Sequence, residues 1–353
     1  MLTATTLISL AFSQNKVSGI AFDGQPLELY MDTGSPGTYV IYKDWYEKTY
    51  GQCPPKTCYT CVGPCDPYSE EKFVLKFDDG SAIETVFHEG VVELGGNKLR
   101  MKFRLIIGWS PPPAFKTEKP MNYFGLDFDP RASDESILTQ LVLKKIVSEK
   151  TVSICAPSLP RSFAGKLILG SVTPEQCAIT PPKTVFKMDP FEVHFNTEVS
   201  SYGLVSSYGQ AYSRPLFDSF AIYDTGSYSI TLYKAYLEFL LNTITEVVKQ
   251  DSGLDVHVKV KDGSWYIQQR GYDYLPTLTF AIGAATASRT IHIPPIHYTQ
   301  DCDGTWCLLL LQQYNSPDII LGRPFFTTHF SSFTEIKGGP RTVPLAAYAN
   351  KKG

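Results

Sequence analysis

The sequence predicts an all-β fold with a few short helices, built as two similar halves. Short apolar runs punctuated by Gly, Pro and Asp recur along the chain, which carries 21 Tyr, 21 Phe, 26 Gly and 25 Pro residues. Apolar residues take helical spacing in only two stretches, and no βαβ alternation is visible. The third observation is a repeat: Asp32-Thr33-Gly34-Ser35 returns as Asp224-Thr225-Gly226-Ser227. Each copy closes a strand-like run, Leu27 to Met31 and Phe220 to Tyr223. Asp and Gly are poor strand residues, so each motif reads as a loop at a strand end, where chemistry tends to be placed.

Taken in order, residues 1–13 offer two readings, a short signal peptide or a first strand. The absence of a positive n-region and the β-branched content favour the strand. Residues 17–31 form a hairpin turning at Asp23-Gly24 and feeding Asp32, and Tyr39 to Tyr42 form a strand, followed by an aromatic stretch around Trp45. Residues 72–94 read as a long hairpin that turns at Asp78-Asp79-Gly80, residues 99–107 as a strand, and Pro111-Pro112-Pro113 as a break. Ile137, Leu138, Leu141, Val142 and Ile146 place a helix over Ser136 to Val147, with Ser133 or Asp134 as N-cap. Leu167 to Gly170 is a buried strand, and Pro181-Pro182 marks the junction of the halves near residue 185. A second amphipathic helix runs from Tyr233 to Val248. Residues 256–282 and 289–298 are strand-rich, Leu308 to Leu311 is a buried strand, and short strands close the tail.

The halves share a second element. Tyr123-Phe124-Gly125 follows Gly34, and Ile320-Leu321-Gly322 follows Gly226, each about 90 residues later. A Gly there lets one backbone pass close to another beside the acid loop. With Gly95-Gly96 after a hairpin and Gly125-Leu126, these motifs make the chain resemble the pepsin-like, bilobal eukaryotic-type aspartic proteases over nearly its whole length. The resemblance implies two homologous β-barrel-like lobes, residues 1–185 and 186–353, with the active-site cleft between them. At 353 residues the chain suits two lobes of about 170–190 residues each.

It further implies an endopeptidase in which Asp32 and Asp224 share a proton, activate a water and polarise the peptide carbonyl, at acidic pH and without cofactor or metal. Thr33 and Thr225 would brace the loops, Gly34 and Gly226 supply clearance and amide donors, and Ser35 and Ser227 orient the outer carboxylate oxygens. The hairpin at 72–94 becomes a flap over the substrate, with Phe77, Asp79, Gly80 and Ser81 near its tip and Tyr39 and Tyr228 as further substrate-side residues. Here the chain departs from the family: Phe77 stands where a flap tyrosine is usual, and Tyr39 where a tryptophan is usual. That removes both partners of a hydroxyl-to-indole hydrogen bond together and leaves Tyr39 and Phe77 to pack as an aromatic pair. Pro36, Tyr228 and Arg323 also differ from common patterns.

Eight cysteines, at 53, 58, 61, 65, 155, 177, 302 and 307, favour disulfides over zinc. No His lies near the four-Cys run in sequence, and its spacing is not that of paired Cys-x2-Cys knuckles. Cys302 with Cys307, and Cys155 with Cys177, are candidate pairs; the pairing within Cys53, Cys58, Cys61 and Cys65 stays open. An oxidising compartment follows, secreted or lysosome- or vacuole-like. The net charge of −3 gives no electrostatic case for nucleic acid or an anionic membrane, and no run reaches the ~18 apolar residues of a membrane helix. The expected partners are extended peptide or protein substrates and pepstatin-type inhibitors, the protein itself being a monomer. His292 and His297 read as ordinary core or surface residues rather than ligands, and no Gly-x-Ser-x-Gly nucleophile motif occurs. The competing reading is a binding protein or inhibitor-like relative on the same fold.

Overall fold

The computed structural model describes residues 7–335 apart from 64, 114–115, 129–135, 157–161, 172–176, 178–183, 189–193 and 285, with backbone alone at 184, 185, 187 and 341–347. The chain divides into two compact units, Met1–Ser153 with Ala164–Val172, and Ile154–Phe163 with Thr173–Gly353. It is mostly strands with few short helices, the all-β architecture expected from the sequence. Pro181 and Pro182 lie outside the described residues.

The first unit opens with β1 (Leu7–Ser13), β2 (Lys16–Phe22) and β3 (Gln25–Asp32). Residues 7–13 are thus a strand, with Ile8, Leu10 and Phe12 alternating into the core. Two-residue turns join the three strands. Gln14-Asn15 has φ of 49° and 65°, and Asp23-Gly24 has 47° and 75°, the left-handed pairs whose twist matches that of a hairpin. After β4 (Thr38–Tyr42), the aromatic stretch around Trp45 forms helix α1 (Lys43–Tyr50), where the Tyr46 and Tyr50 rings, one turn apart, meet at 5.1 Å with a 51° tilt.

The short β5 (Cys58–Tyr59) leads to the predicted long hairpin, β6 (Lys72–Lys76) and β7 (Ala82–Leu94). Gly95-Gly96 then turns β7 into β8 (Asn97–Ser110). β9 (Tyr123–Gly125), α2 (Ile137–Leu143), β10 (Lys150–Cys155) and β11 (Ala164–Gly170) follow. Helix α2 is shorter than its apolar spacing suggested. Ser136 caps it, its hydroxyl accepting the Thr139 N–H at 3.3 Å, while Ser133 and Asp134 lie outside the described residues. In the sheet the neighbours run β11-β1-β2-β3-β9-β4-β8-β7-β6, with β5 on β4, and a β2–β7 pairing closes six of these strands on themselves.

The second unit begins with β12 (Thr184–Lys187), β13 (Asn196–Val205), β14 (Ala211–Pro215), β15 (Phe220–Tyr223) and β16 (Ile230–Tyr233). Helix α3 (Lys234–Ser252) buries Leu237, Leu240, Leu241, Ile244 and Val248, while Tyr236, expected on the same face, is part-buried, and the helix ends at Gly253 in the left-handed region at φ 72°. β17 (Val258–Lys261), β18 (Ser264–Gln268), β19 (Thr277–Ile282) and β20 (Arg289–Ile293) come next. The segment expected to continue as strand at 294–298 instead forms a one-turn helix, α4 (Pro295–Tyr298), because proline pre-sets the first helical φ.

The chain ends with β21 (Thr299–Gln300), β22 (Trp306–Leu309), β23 (Leu311–Tyr314), β24 (Ile319–Leu321), α5 (Arg323–Phe326), β25 (His329–Glu335) and β26 (Arg341–Ala347). The expected strand over Leu308 to Leu311 is split at Leu310, whose N–H donates to Tyr298 O at 2.8 Å. Strand neighbours run β20-β19-β13-β15-β24-β16-β23, beside a second sheet of β17-β18-β22-β21. No described helix is long and apolar enough to cross a membrane.

Candidate active site

Both acid loops are built the same way. β3 delivers Asp32, the chain crosses over to β4, and β9 lies between these two strands, parallel to β3 and antiparallel to β4. In the second unit β15 leads to Asp224, β16 follows, and β24 lies between them in the same senses. The Gly34 N–H donates to Asp32 Oδ1 at 2.8 Å, and the Gly226 N–H to Asp224 Oδ1 at 2.7 Å. An amide two residues on thus fixes one oxygen of each carboxylate, the Asx geometry such loops favour. Asp32 is 6% exposed and Asp224 part-buried; Thr33 and Thr225 are buried beside them.

The two apolar-Gly elements explain themselves in space. A Cβ on Gly125 would meet the Gly37 and Ser35 carbonyl oxygens, the latter at 2.7 Å, and one on Gly322 would meet those of Ser227 and Ser229. Main-chain hydrogen bonds use this closeness. Gly125 N–H donates to Gly37 O at 3.0 Å, Leu126 N–H to Asp32 O at 2.8 Å and Asp127 N–H to Ser35 O at 3.0 Å. Arg323 N–H donates to Ser227 O at 3.0 Å.

The serines part company. Ser35 Oγ donates to the outer oxygen, Asp32 Oδ2, at 2.7 Å, whereas Ser227 Oγ donates its one proton to Ser229 O at 3.0 Å. The Ser227 hydroxyl thus faces the Ser229 carbonyl, where the resemblance implied Asp224. A local side-chain-to-backbone bond is available in the Gly226-Ser227-Tyr228-Ser229 turn and wins. Tyr228 is 44% exposed. Its hydroxyl donates to Gln300 Oε1 at 2.5 Å, and the Arg323 guanidinium lies over its ring at 5.0 Å.

At the tip of the β6–β7 hairpin Gly80, at φ 84°, closes a turn in which its N–H donates to Phe77 O at 3.0 Å. Asp79 Oδ1 accepts both the Ser81 N–H at 2.8 Å and the Ser81 hydroxyl at 2.6 Å, stiffening that turn. Phe77 packs against the buried cluster that holds Tyr39 and Tyr123, and its ring pair is with Tyr123. Tyr123 lies 5.1 Å from the Phe77 ring and edge-on to Tyr39 at 6.4 Å, because β9 pairs Tyr123 with Tyr39 across the sheet. A hollow of about 440 Å³ opens against the tip-side end of the β6–β7 hairpin among Trp45, Tyr50, Ile83 and Trp109, and no acid-loop residue lines it.

Sequence reasoning missed three supports. Asn122, 2% exposed, accepts the Ile41 N–H and donates to Glu28 O and Thr57 O, tying three segments behind the first acid loop. Arg104 is sandwiched between Phe73 at 4.3 Å and Phe87 at 4.1 Å on β6 and β7. The third is the contact of Tyr123, a residue of the repeated apolar-Gly element, with Phe77 and Tyr39. No motif signals these contacts, and only the pairing of distant strands reveals their partners.

The cysteines form Cys53–Cys58, Cys61–Cys65, Cys155–Cys177 and Cys302–Cys307, which includes both candidate pairs and resolves the four-Cys run. His88, distant in sequence, brings a ring nitrogen within 4.8 Å of the Cys61 and Cys65 sulfurs. Both sulfurs are tied up in their disulfide, and His88 Nε2 faces the Tyr59 hydroxyl at 3.0 Å, so this group offers no open ligand set.

No curated protein matches the chain significantly. The sequence model of the family described as eukaryotic aspartyl protease matches residues 18–341, from β2 to the start of β26, and so spans both acid loops, the β6–β7 hairpin and both apolar-Gly elements. With that match over nearly its whole length, the chain belongs to the eukaryotic aspartyl protease family.

Proposed function

We propose that the protein is an aspartic endopeptidase working through Asp32 and Asp224 on extended peptides, in an acidic compartment where its disulfides persist. The observation that carries this reading is the shared build of the acid loops: in each, the amide two residues on holds Oδ1, at 2.8 and 2.7 Å. Two carboxylates acting together hold one proton between them, since like charges at close range cannot both ionise. The ionised member takes a proton from water as the water attacks the peptide carbonyl; the protonated member donates to the carbonyl oxygen and then assists departure of the amine. Asp32 accepts the Gly34 N–H and the Ser35 hydroxyl, and which carboxylate holds the proton is a property of the pair. Buried Thr33 and Thr225 serve as braces of the two loops, and Asp79, Gly80 and Ser81 shape the flap tip that covers the substrate.

Ser227 favours a second reading. With its hydroxyl turned to Ser229 O and no hydroxyl on Phe77, the site also suits a peptide-binding relative with weak turnover. Cleavage of an unfolded protein across acid to neutral pH, by wild type and Asp32→Asn, with and without pepstatin, separates the two. Acid activity abolished by the substitution and by the inhibitor supports the enzyme. A folded wild type that binds pepstatin without cleaving leaves only the binding reading.

A further inference from the structure

Phe77 leaves the flap without a hydroxyl, yet a phenol stands on the floor beside it. In the parallel pairing of β3 with β9, Tyr123 lies next to Tyr30, and Gly125 lies next to Asp32. Residues two apart on a strand share a face, as do residues in register on neighbouring strands, so Tyr123 and Asp32 occupy one face of the sheet. The Tyr123 ring meets Phe77 at 5.1 Å with a 31° tilt and Tyr39 at 6.4 Å edge-on. The residue as a whole is 9% exposed, and its hydroxyl, which makes no hydrogen bond among the described residues, is not one of the fully buried polar atoms lacking a partner, so it keeps a side open to solvent. A tyrosine hydroxyl left open in this way can pass from water to something that enters the site.

We infer that Tyr123 is a substrate-positioning residue: its ring seats the flap through Phe77, and its hydroxyl donates to the peptide held over Asp32. The inference rests on the protease reading above. It supplies from β9 the hydroxyl that the flap position lacks, which turns the joint change at Phe77 and Tyr39 into a relocation of one donor. Burial, and then the negative charge of Asp32, hold the phenol far above the ordinary tyrosine range, so it stays a donor wherever the carboxylates work.

The test compares wild type, Tyr123→Phe, Phe77→Tyr and the double variant in peptide cleavage. Tyr123→Phe keeps the ring, so its thermal midpoint and the position of its pH profile should not move. Its kcat/KM should fall about tenfold, the loss of one directed hydrogen bond. Phe77→Tyr should restore most of that loss in the double variant. Wild-type kinetics in Tyr123→Phe, or a loss that Phe77→Tyr fails to recover, overturns the inference and leaves the protease reading intact. A folded wild type that neither cleaves nor binds pepstatin removes that reading, and the inference with it.

Discussion

His329 makes acid costly for the second unit. It opens β25 directly after α5, the helix that begins at Arg323, whose N–H backs the Asp224 loop. The ring is 4% exposed, stacks flat on Phe325 at 5.0 Å and has Nδ1 at 2.7 Å from Thr328 Oγ1. Burial lowers its pKa from 6.5 to about 4; the Phe325 carbonyl opposes the shift, and His292 and His297 add to it. With the folded value below the unfolded one, the unfolded chain takes up the proton first. Stability is then full above pH 6.5 and is lost as pH falls toward 4. For those two values the loss is about 2 kcal/mol at pH 5 and about 3 kcal/mol at pH 4. His297, also lowered by burial to about 4, adds a smaller amount because its ring is only part-buried. Such losses are a large share of the ~5–15 kcal/mol that holds a domain folded.

Urea unfolding of wild type and His329→Gln, near neutral pH and again at about pH 5, measures the effect, since Gln cannot titrate. The wild type should lose about 2 kcal/mol more than the variant between the two conditions. Equal losses, or an NMR titration placing His329 near the ordinary histidine value, would refute the reasoning. The proposed enzyme should accordingly work in mild acid and lose its fold, and with it its activity, in strong acid.

Two further substitutions probe the acid loops. Ser35→Ala removes the hydroxyl that holds the outer oxygen, Asp32 Oδ2, at 2.7 Å. Its kcat should fall about tenfold or more, while Ser227→Ala, which breaks only a bond to Ser229 O, should change little. Gly125→Ala drives a methyl into the Gly37 and Ser35 carbonyl oxygens, main-chain atoms that cannot swing aside. It should cost about 3 kcal/mol or more, read as a drop in the thermal midpoint, and a drop of less than a degree or two would refute the packing argument.

The sequence by itself determined the architecture and the candidate carboxylates. Alternation sets which strand faces are buried, left-handed turns such as Asp23-Gly24 and Gly95-Gly96 set the hairpins, and a doubled Asp-Thr-Gly-Ser marks the chemistry. These are local properties, carried by a few adjacent residues and therefore legible in one dimension. The pairings Cys53–Cys58 and Cys61–Cys65, the Asn122 bridge behind the first loop and the place of Tyr123 against Tyr39 and Phe77 were decided only in the tertiary structure. So were the opposite choices of Ser35 and Ser227, two residues in identical tetrapeptides. The physical reason is the same throughout. A hydroxyl or an amide is satisfied by whichever partner the register of distant strands brings within 3 Å or so, and no local pattern encodes that register.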